Sequence, residues 1–196
     1  MLNDALFYES YEIIGGEKFI SPSPNIDHSS IVTRLIIRIG MYVTSKRLGY
    51  IFADNMDVHL PDGNTFKPDF MFVSLANSSI VLKNRKGTIR GVPDFVVEIC
   101  SKSTMRRDLT VKKDIYESNG VKEYWVIDPW KESISVFNLI DGKFVFDDEY
   151  IYYDKYEWED LTDEQRAEAK LEIDVSTIEG LTVKLNDIFD WVIRED

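Results

Sequence analysis

The 196-residue chain is 44% hydrophobic and 13% aromatic, enough apolar material for one sizeable core, and its single cysteine, Cys100, excludes an internal disulfide or a cysteine-based zinc cluster. It carries 35 acidic against 23 basic residues, a formal charge of −12, which taken as a total argues against a nucleic-acid partner, because phosphate contacts normally come from Lys and Arg. No apolar run reaches the roughly 18 residues of a membrane span, and the first residues lack the basic-then-apolar pattern of a secretory leader, so one cytoplasmic domain with no membrane partner is expected.

The charge is unevenly spread. Residues 141–196 hold 18 acidic and 6 basic residues, whereas residues 1–140 hold 17 of each. The acidic excess is therefore a property of the C-terminal segment. Between Lys83 and Lys113, nine basic residues stand against three acidic ones, a stretch that suits either a polyanion or a solvated loop-and-helix surface.

In chain order, two short β-rich runs at residues 11–14 and 17–20 flank Gly15 and Gly16, the pattern of a hairpin with a two-residue turn. After the Ser21-Pro22-Ser23-Pro24 break, Ile31, Leu35, Ile36, Ile39 and Val43 recur at helical spacing and predict a long helix over residues 28–46. Extended segments follow at 50–52 and 56–60, then the turn Pro61-Asp62-Gly63-Asn64, an extended segment at 68–74 and a basic loop over 76–92. Residues 94–100 form a short, β-branched apolar run, as in a strand covered on both faces. A helix over 103–119 stops at Gly120. A strand at 121–128, hairpin strands near 133–137 and 143–146, a helix around 162–170 and a short closing helix over 185–192 complete the reading. Strands interleaved with helices indicate an α/β or α+β fold.

Within this pattern two carboxylates are out of place. Glu98 lies inside the apolar run Phe95-Val96-Val97-Glu98-Ile99-Cys100, and Asp69 opens the run Phe70-Met71-Phe72-Val73. Burying an unpaired carboxylate costs several kcal/mol, roughly, so each needs either a Lys or Arg partner or a cation shared between them, for which oxygen ligands suit Mg²⁺ or Mn²⁺. On the helix that follows, Leu109, Val111, Ile115 and Tyr116 outline an apolar face, with Lys112 near its middle and Asp108 one turn earlier, while Lys113 turns toward the polar side. Lys112 either neutralises Asp108 or brings an ammonium to the carboxylate pair. Tyr124, Trp125 and Trp130 read as sheet packing, although Trp130 in a turn also suits stacking on a base. Ser29 and Ser30 beside His28 do not form a nucleophilic triad, and no phosphate-binding P-loop occurs.

The run Pro68-Asp69, Val92-Pro93-Asp94-Phe95-Val96-Val97-Glu98, Ser101, Ser103-Thr104, Asp108, Lys112, Tyr116, Gly120-Val121 and Glu123-Tyr124-Trp125-Val126-Ile127-Asp128-Pro129 resembles the Uma-type family of bacterial restriction endonucleases, within the PD-(D/E)XK nuclease superfamily. The likeness extends from the hairpin containing Glu12, through Ser21-Pro22 and His28, to Leu181 and Phe189. It implies a restriction-endonuclease-like central mixed sheet flanked by helices, with an N-terminal hairpin. It further implies a site of two acids and a lysine: Asp69 and Glu98, joined by the Ile99 carbonyl, hold Mg²⁺ or Mn²⁺, and Lys112 assists hydrolysis of a DNA phosphodiester. The superfamily's usual lysine position, two residues after the second acid, is Cys100 here, and Lys102 replaces the family's proline, making Lys102 a second candidate for the lysine. Glu12 reads as an auxiliary acid or a hairpin surface residue, His28 as an auxiliary residue or a helix-start residue, and Asp108 as the helix acid paired with Lys112. By analogy the protein is expected to be a homodimer. The alternative is a nuclease-fold protein that binds nucleic acid or a protein partner without cutting.

Overall fold

The computed structural model describes residues 10–20, 23–53, 56–83 and 87–190; the expectations resting on Ser21, Pro22, Arg85, Lys86 and residues 191–192 lie outside these. Strands β1 (Tyr11–Ile14) and β2 (Glu17–Ile20) form the expected hairpin, with Gly15 and Gly16 both at positive φ as a two-residue turn of this kind requires. The long helix runs as α1 (Ile26–Leu35), a π-helical segment (Ile36–Gly40) and α2 (Met41–Lys46). Next come β3 (Gly49–Ala53), β4 (Val58–His59), β5 (Thr65–Phe66) and β6 (Phe70–Ser74).

The expected basic loop over 76–92 is a correction: it contains the helix α3 (Ser79–Leu82) and strand β7 (Ile89–Arg90), which pairs in parallel with β4. Strand β8 (Phe95–Ile99) leads into α4 (Met105–Arg107), a second π-helical segment (Asp108–Lys112) and α5 (Lys113–Asn119), which ends at Gly120 with φ 87°. Strands β9 (Glu123–Asp128), β10 (Ser133–Ile140) and β11 (Lys143–Ile151) follow, the last two longer than their apolar cores suggest because the hairpin register carries them past a bulge at Val136/Phe137. Helices α6 (Lys155–Asp160) and α7 (Asp163–Glu168), strands β12 (Glu172–Asp174) and β13 (Thr182–Lys184), and α8 (Leu185–Phe189) complete the described chain.

The central sheet has the order β11-β10-β9-β8-β6-β3 and is mixed: β8 and β9 are parallel and the other neighbours antiparallel. A parallel pair needs a crossover, and the broken helix from α4 to α5 supplies it. Strand alternation sends Phe95, Val97, Ile99, Trp125 and Ile127 to one face, where they pack with Leu35, Ile39 and Val43 of the long helix and with Ile188 and Phe189 of α8. Val96, Cys100, Tyr124 and Val126 face the other way, onto Tyr116 of α5 and Phe66 of the smaller sheet β2-β1-β5-β4-β7. Glu98 shares the parity of Val96 and Cys100, so it points into this second layer. Among the described residues, no helix is long and apolar enough to cross a membrane.

Candidate active site

Because β6 runs antiparallel to β8, with Phe70 paired to Val97, the start of β6 lies beside the end of β8. Asp69, one residue before β6, is thereby brought to the backbone that follows Glu98: its Oδ2 accepts a hydrogen bond of 2.6 Å from Ile99 N. Its Oδ1 lies 2.9 Å from His28 Nε2. His28 stands in the first turn of α1, but Asn25 is the cap, its side chain accepting from His28 N. His28 thus carries no capping duty and is aimed at Asp69.

Glu98 is buried, and both its oxygens have partners: Oε2 lies 3.0 Å from Lys112 Nζ, and Oε1 accepts from Tyr116 Oη at 2.8 Å. Asp108, Lys112 and Tyr116 occur at four-residue intervals on one face of the crossover helix, and all three are buried. Val111 is instead 45% exposed, a correction to the expected apolar face. Val111 is about 100° round the helix from Lys112, so with the polar trio against the sheet it turns toward solvent. Lys113 is only partly buried, its Nζ 3.8 Å from Asp114 Oδ1.

Lys112 serves three carboxylates. Beyond Glu98, its Nζ lies 2.8 Å from Glu12 Oε1 and 3.7 Å from Asp108 Oδ1. Glu12 comes from β1 and is only 3% exposed, which rules out the hairpin-surface reading. Its Oε1 also accepts from Lys67 N at 3.1 Å, two residues from Asp69. Cys100 is a buried free thiol 3.5 Å from Asp108 Oδ2, and burial together with Asp108 pushes its proton affinity up. Among the described residues, Lys102 makes no ion pair with these carboxylates; it is exposed, its Nζ 5.7 Å from the centre of the Trp130 ring.

The electrostatics follow from this packing. Burial raises the proton affinity of Glu98 well above the usual carboxylate range; Lys112 opposes it, and Glu12, Asp69 and Asp108 add to it. Asp108 is raised by burial as well, against the pull of Lys112. Burial disfavours the Lys112 ammonium, but Glu98, Glu12 and Asp108 outweigh that and hold it protonated. One ammonium therefore stands among Glu12, Glu98 and Asp108, with Asp69 close to Glu98. Among the described residues, no three His, Cys, Asp or Glu side chains converge as a ready-made metal cage. The oxygen donors present are the carboxylates of Glu12, Asp69, Glu98 and Asp108.

The structure thus gathers Asp69, Glu98, Lys112, Glu12, Asp108 and His28 at one end of the sheet, and leaves Lys102 at the rim. The His28 contact to Asp69 and the Tyr116 hydroxyl on Glu98 are site features that residue spacing does not reveal. The burial of Glu12 has a signal, its two-residue offset from the buried Ile14.

Residues 8–174 match the Uma2 family, described as "Putative restriction endonuclease". No curated protein matches the chain. Among solved structures, the fold is similar to "a putative nuclease belonging to DUF820" from Anabaena variabilis ATCC 29413, with a TM-score of 0.71 and 19% identity over 94% of this chain and 92% of the other. At that identity the likeness speaks for the fold, and it agrees with the mixed sheet flanked by helices. With most of its length matched, the chain belongs to the Uma2 family.

Proposed function

We propose that the protein is a metal-dependent endonuclease that hydrolyses phosphodiester bonds of DNA. The observation that carries this reading is the meeting of Asp69 and Glu98 at the ends of adjacent strands, with the buried Lys112 ammonium 3.0 Å from Glu98. Three carboxylates around one ammonium, with Asp69 near Glu98, are an environment that a divalent cation would relieve, and Mg²⁺ is commonly held by one or two carboxylates while keeping several waters. Asp69 and Glu98 would hold it, with the Ile99 carbonyl as a further oxygen. When bound, such an ion supplies a Lewis acid that lowers the pKa of water and offsets charge on the phosphate.

The chain's own residues have separable tasks in this reading. His28 and the Ile99 amide fix the Asp69 carboxylate from two sides. Glu12 and Asp108 anchor Lys112 independently of Glu98, so the ammonium would stay at the site if Glu98 turned to a cation. There it orients the attacking water and offsets charge developing on the phosphate. Two copies acting on two strands belong to the same proposal, by analogy with nucleases of this kind.

One observation favours the second reading, a protein that binds nucleic acid or a protein partner without cutting: both Glu98 oxygens are engaged, by Lys112 and Tyr116. Calorimetric titration of Mg²⁺ and Mn²⁺ into the wild type and Glu98→Ala, with plasmid nicking on the same samples, separates the two. The nuclease reading expects metal binding and nicking in the wild type and loss of both in the variant. A wild type that binds neither metal at millimolar concentration leaves the non-cutting protein as the better account.

A further inference from the structure

The end of the sheet that carries the carboxylates also carries an exposed tryptophan on a braced turn. Trp130 follows Asp128 and Pro129 at the end of β9 and is 46% exposed. Asp128 Oδ1 accepts from Trp130 N at 2.9 Å and from Lys131 N at 3.2 Å, which fixes the turn's backbone. Lys102, from the turn after β8, holds its ammonium 5.7 Å from the centre of the indole ring.

Topology places this pair beside the site. Strands β8 and β9 are parallel, Ile99 pairs with Ile127, and Cys100 N donates to Ile127 O at 2.8 Å. Lys102 lies three residues beyond Ile99, a backbone reach of at most about 11 Å from the amide that holds Asp69, and Trp130 lies three residues beyond Ile127 on the adjacent strand. Single exposed apolar side chains are ordinary on protein surfaces. Trp130 differs in having a fixed turn, a cation over one face of the ring, which leaves the other face for a base, and a place at the site's end of the sheet. Arg106, on α4 at the same end, is exposed and adds positive charge, while Lys131 is exposed but lies 3.9 Å from Glu149.

We propose that Trp130 and Lys102 form a contact for single-stranded DNA next to the active site, an unpaired base stacking on the indole and a neighbouring phosphate meeting the ammonium. Every base offers a π-face, so the contact is tolerant of sequence, and a base stacked inside an intact duplex is not available to it. The inference rests on the nuclease reading and narrows its substrate to DNA with unpaired bases.

The test is fluorescence anisotropy in EDTA, with a labelled oligothymidylate and its blunt duplex as probes, on the wild type, Trp130→Ala, Trp130→Phe and Lys102→Ala. Trp130→Ala should weaken single-strand binding about tenfold, within the range for loss of one base-aromatic stack. Trp130→Phe should retain most of the affinity, Lys102→Ala should lower the salt slope by about one, and the duplex should respond less to every variant. Equal single-strand affinity of wild type and Trp130→Ala, or a wild type that binds single strand no better than duplex, overturns the proposal. Cleavage of the single-stranded probe in Mg²⁺ is scored separately: cleavage by the wild type with no effect of Trp130→Ala on binding removes the stacking contact and leaves the nuclease. Weakened binding in Trp130→Ala with no cleavage of the single-stranded probe by the wild type removes the nuclease and leaves the contact.

Discussion

At the scale of single residues, Lys112 is the cation that makes the buried carboxylates tolerable. It is 4% exposed and lies within ion-pair distance of Glu98, Glu12 and Asp108. Removing one partner of a buried pair leaves uncompensated charge at a cost of about 3–5 kcal/mol, here shared among three carboxylates. Lys112→Met, which keeps the chain length and loses the charge, should therefore lower stability by about that amount in urea titrations and abolish plasmid nicking. Glu12→Gln should be milder, since the amide oxygen can still accept from Lys67 N. A Lys112→Met variant as stable as the wild type would mean that the carboxylates are not charged in the folded protein. Asp69, Glu98 and Lys112 were legible as a set because a carboxylate in an apolar strand and a lysine on an apolar helix face are both anomalies of local pattern. The pairing of His28 with Asp69 was not, since 41 residues separate them and only the return of β6 beside β8 brings the start of α1 to the same end.

Elements were legible where periodicity is long and sharp. The two long helical stretches and the strand around Glu98 stand where the pattern puts them, and the π-helical segments inside both helices do not show in it because one extra residue per turn barely disturbs apolar spacing over a short window. Helix α6 had a readable start in Asp154 and Glu157, which form a reciprocal capping box, but its exposed, acidic length carries no apolar stripe. Strand β7 has only two residues and depends on β4 for its identity. Two glycines test how elements are held. A Cβ at Gly49, in edge strand β3, would meet the Val73 carbonyl oxygen and the Phe72 ring, rigid neighbours in the paired strand β6. Gly120 has a positive φ but open space around the added carbon. Gly120→Ala should thus cost about 1 kcal/mol, a conformational penalty at a helix stop, and Gly49→Ala about 3 kcal/mol or more through overpacking. Urea midpoints of the two variants check the order; equal losses would show that β3 can shift away from β6.

Across the whole molecule, the acidic C-terminal segment is structural as well as charged. Ile173, Val183, Ile188 and Phe189 join the same apolar layer as Leu35 and Trp125, although the sequence around them is dominated by acidic residues. The polar tie is Glu123, fully buried at the start of β9, whose Oε1 accepts from Trp125 Nε1 and whose Oε2 accepts from Ser176 Oγ, Thr177 N and Thr177 Oγ1. Four donors converge on one carboxylate, and yet burial raises its proton affinity above the ordinary value. A carboxyl group with a raised folded-state pKa binds its proton more tightly in the folded than in the unfolded chain. Its favourable contribution is complete below the unfolded pKa and is lost as pH rises through the folded one. The C-terminal segment and the sheet are expected to unfold together, because they share both a core and this carboxylate. Far-UV circular dichroism and tryptophan fluorescence should accordingly give coincident urea transitions, and Glu123→Gln should flatten the fall in stability on going from pH 4 to pH 8, as read by the same titrations. Separate transitions would make the C-terminal segment an independent unit, and an unchanged pH slope would place the titrating group elsewhere.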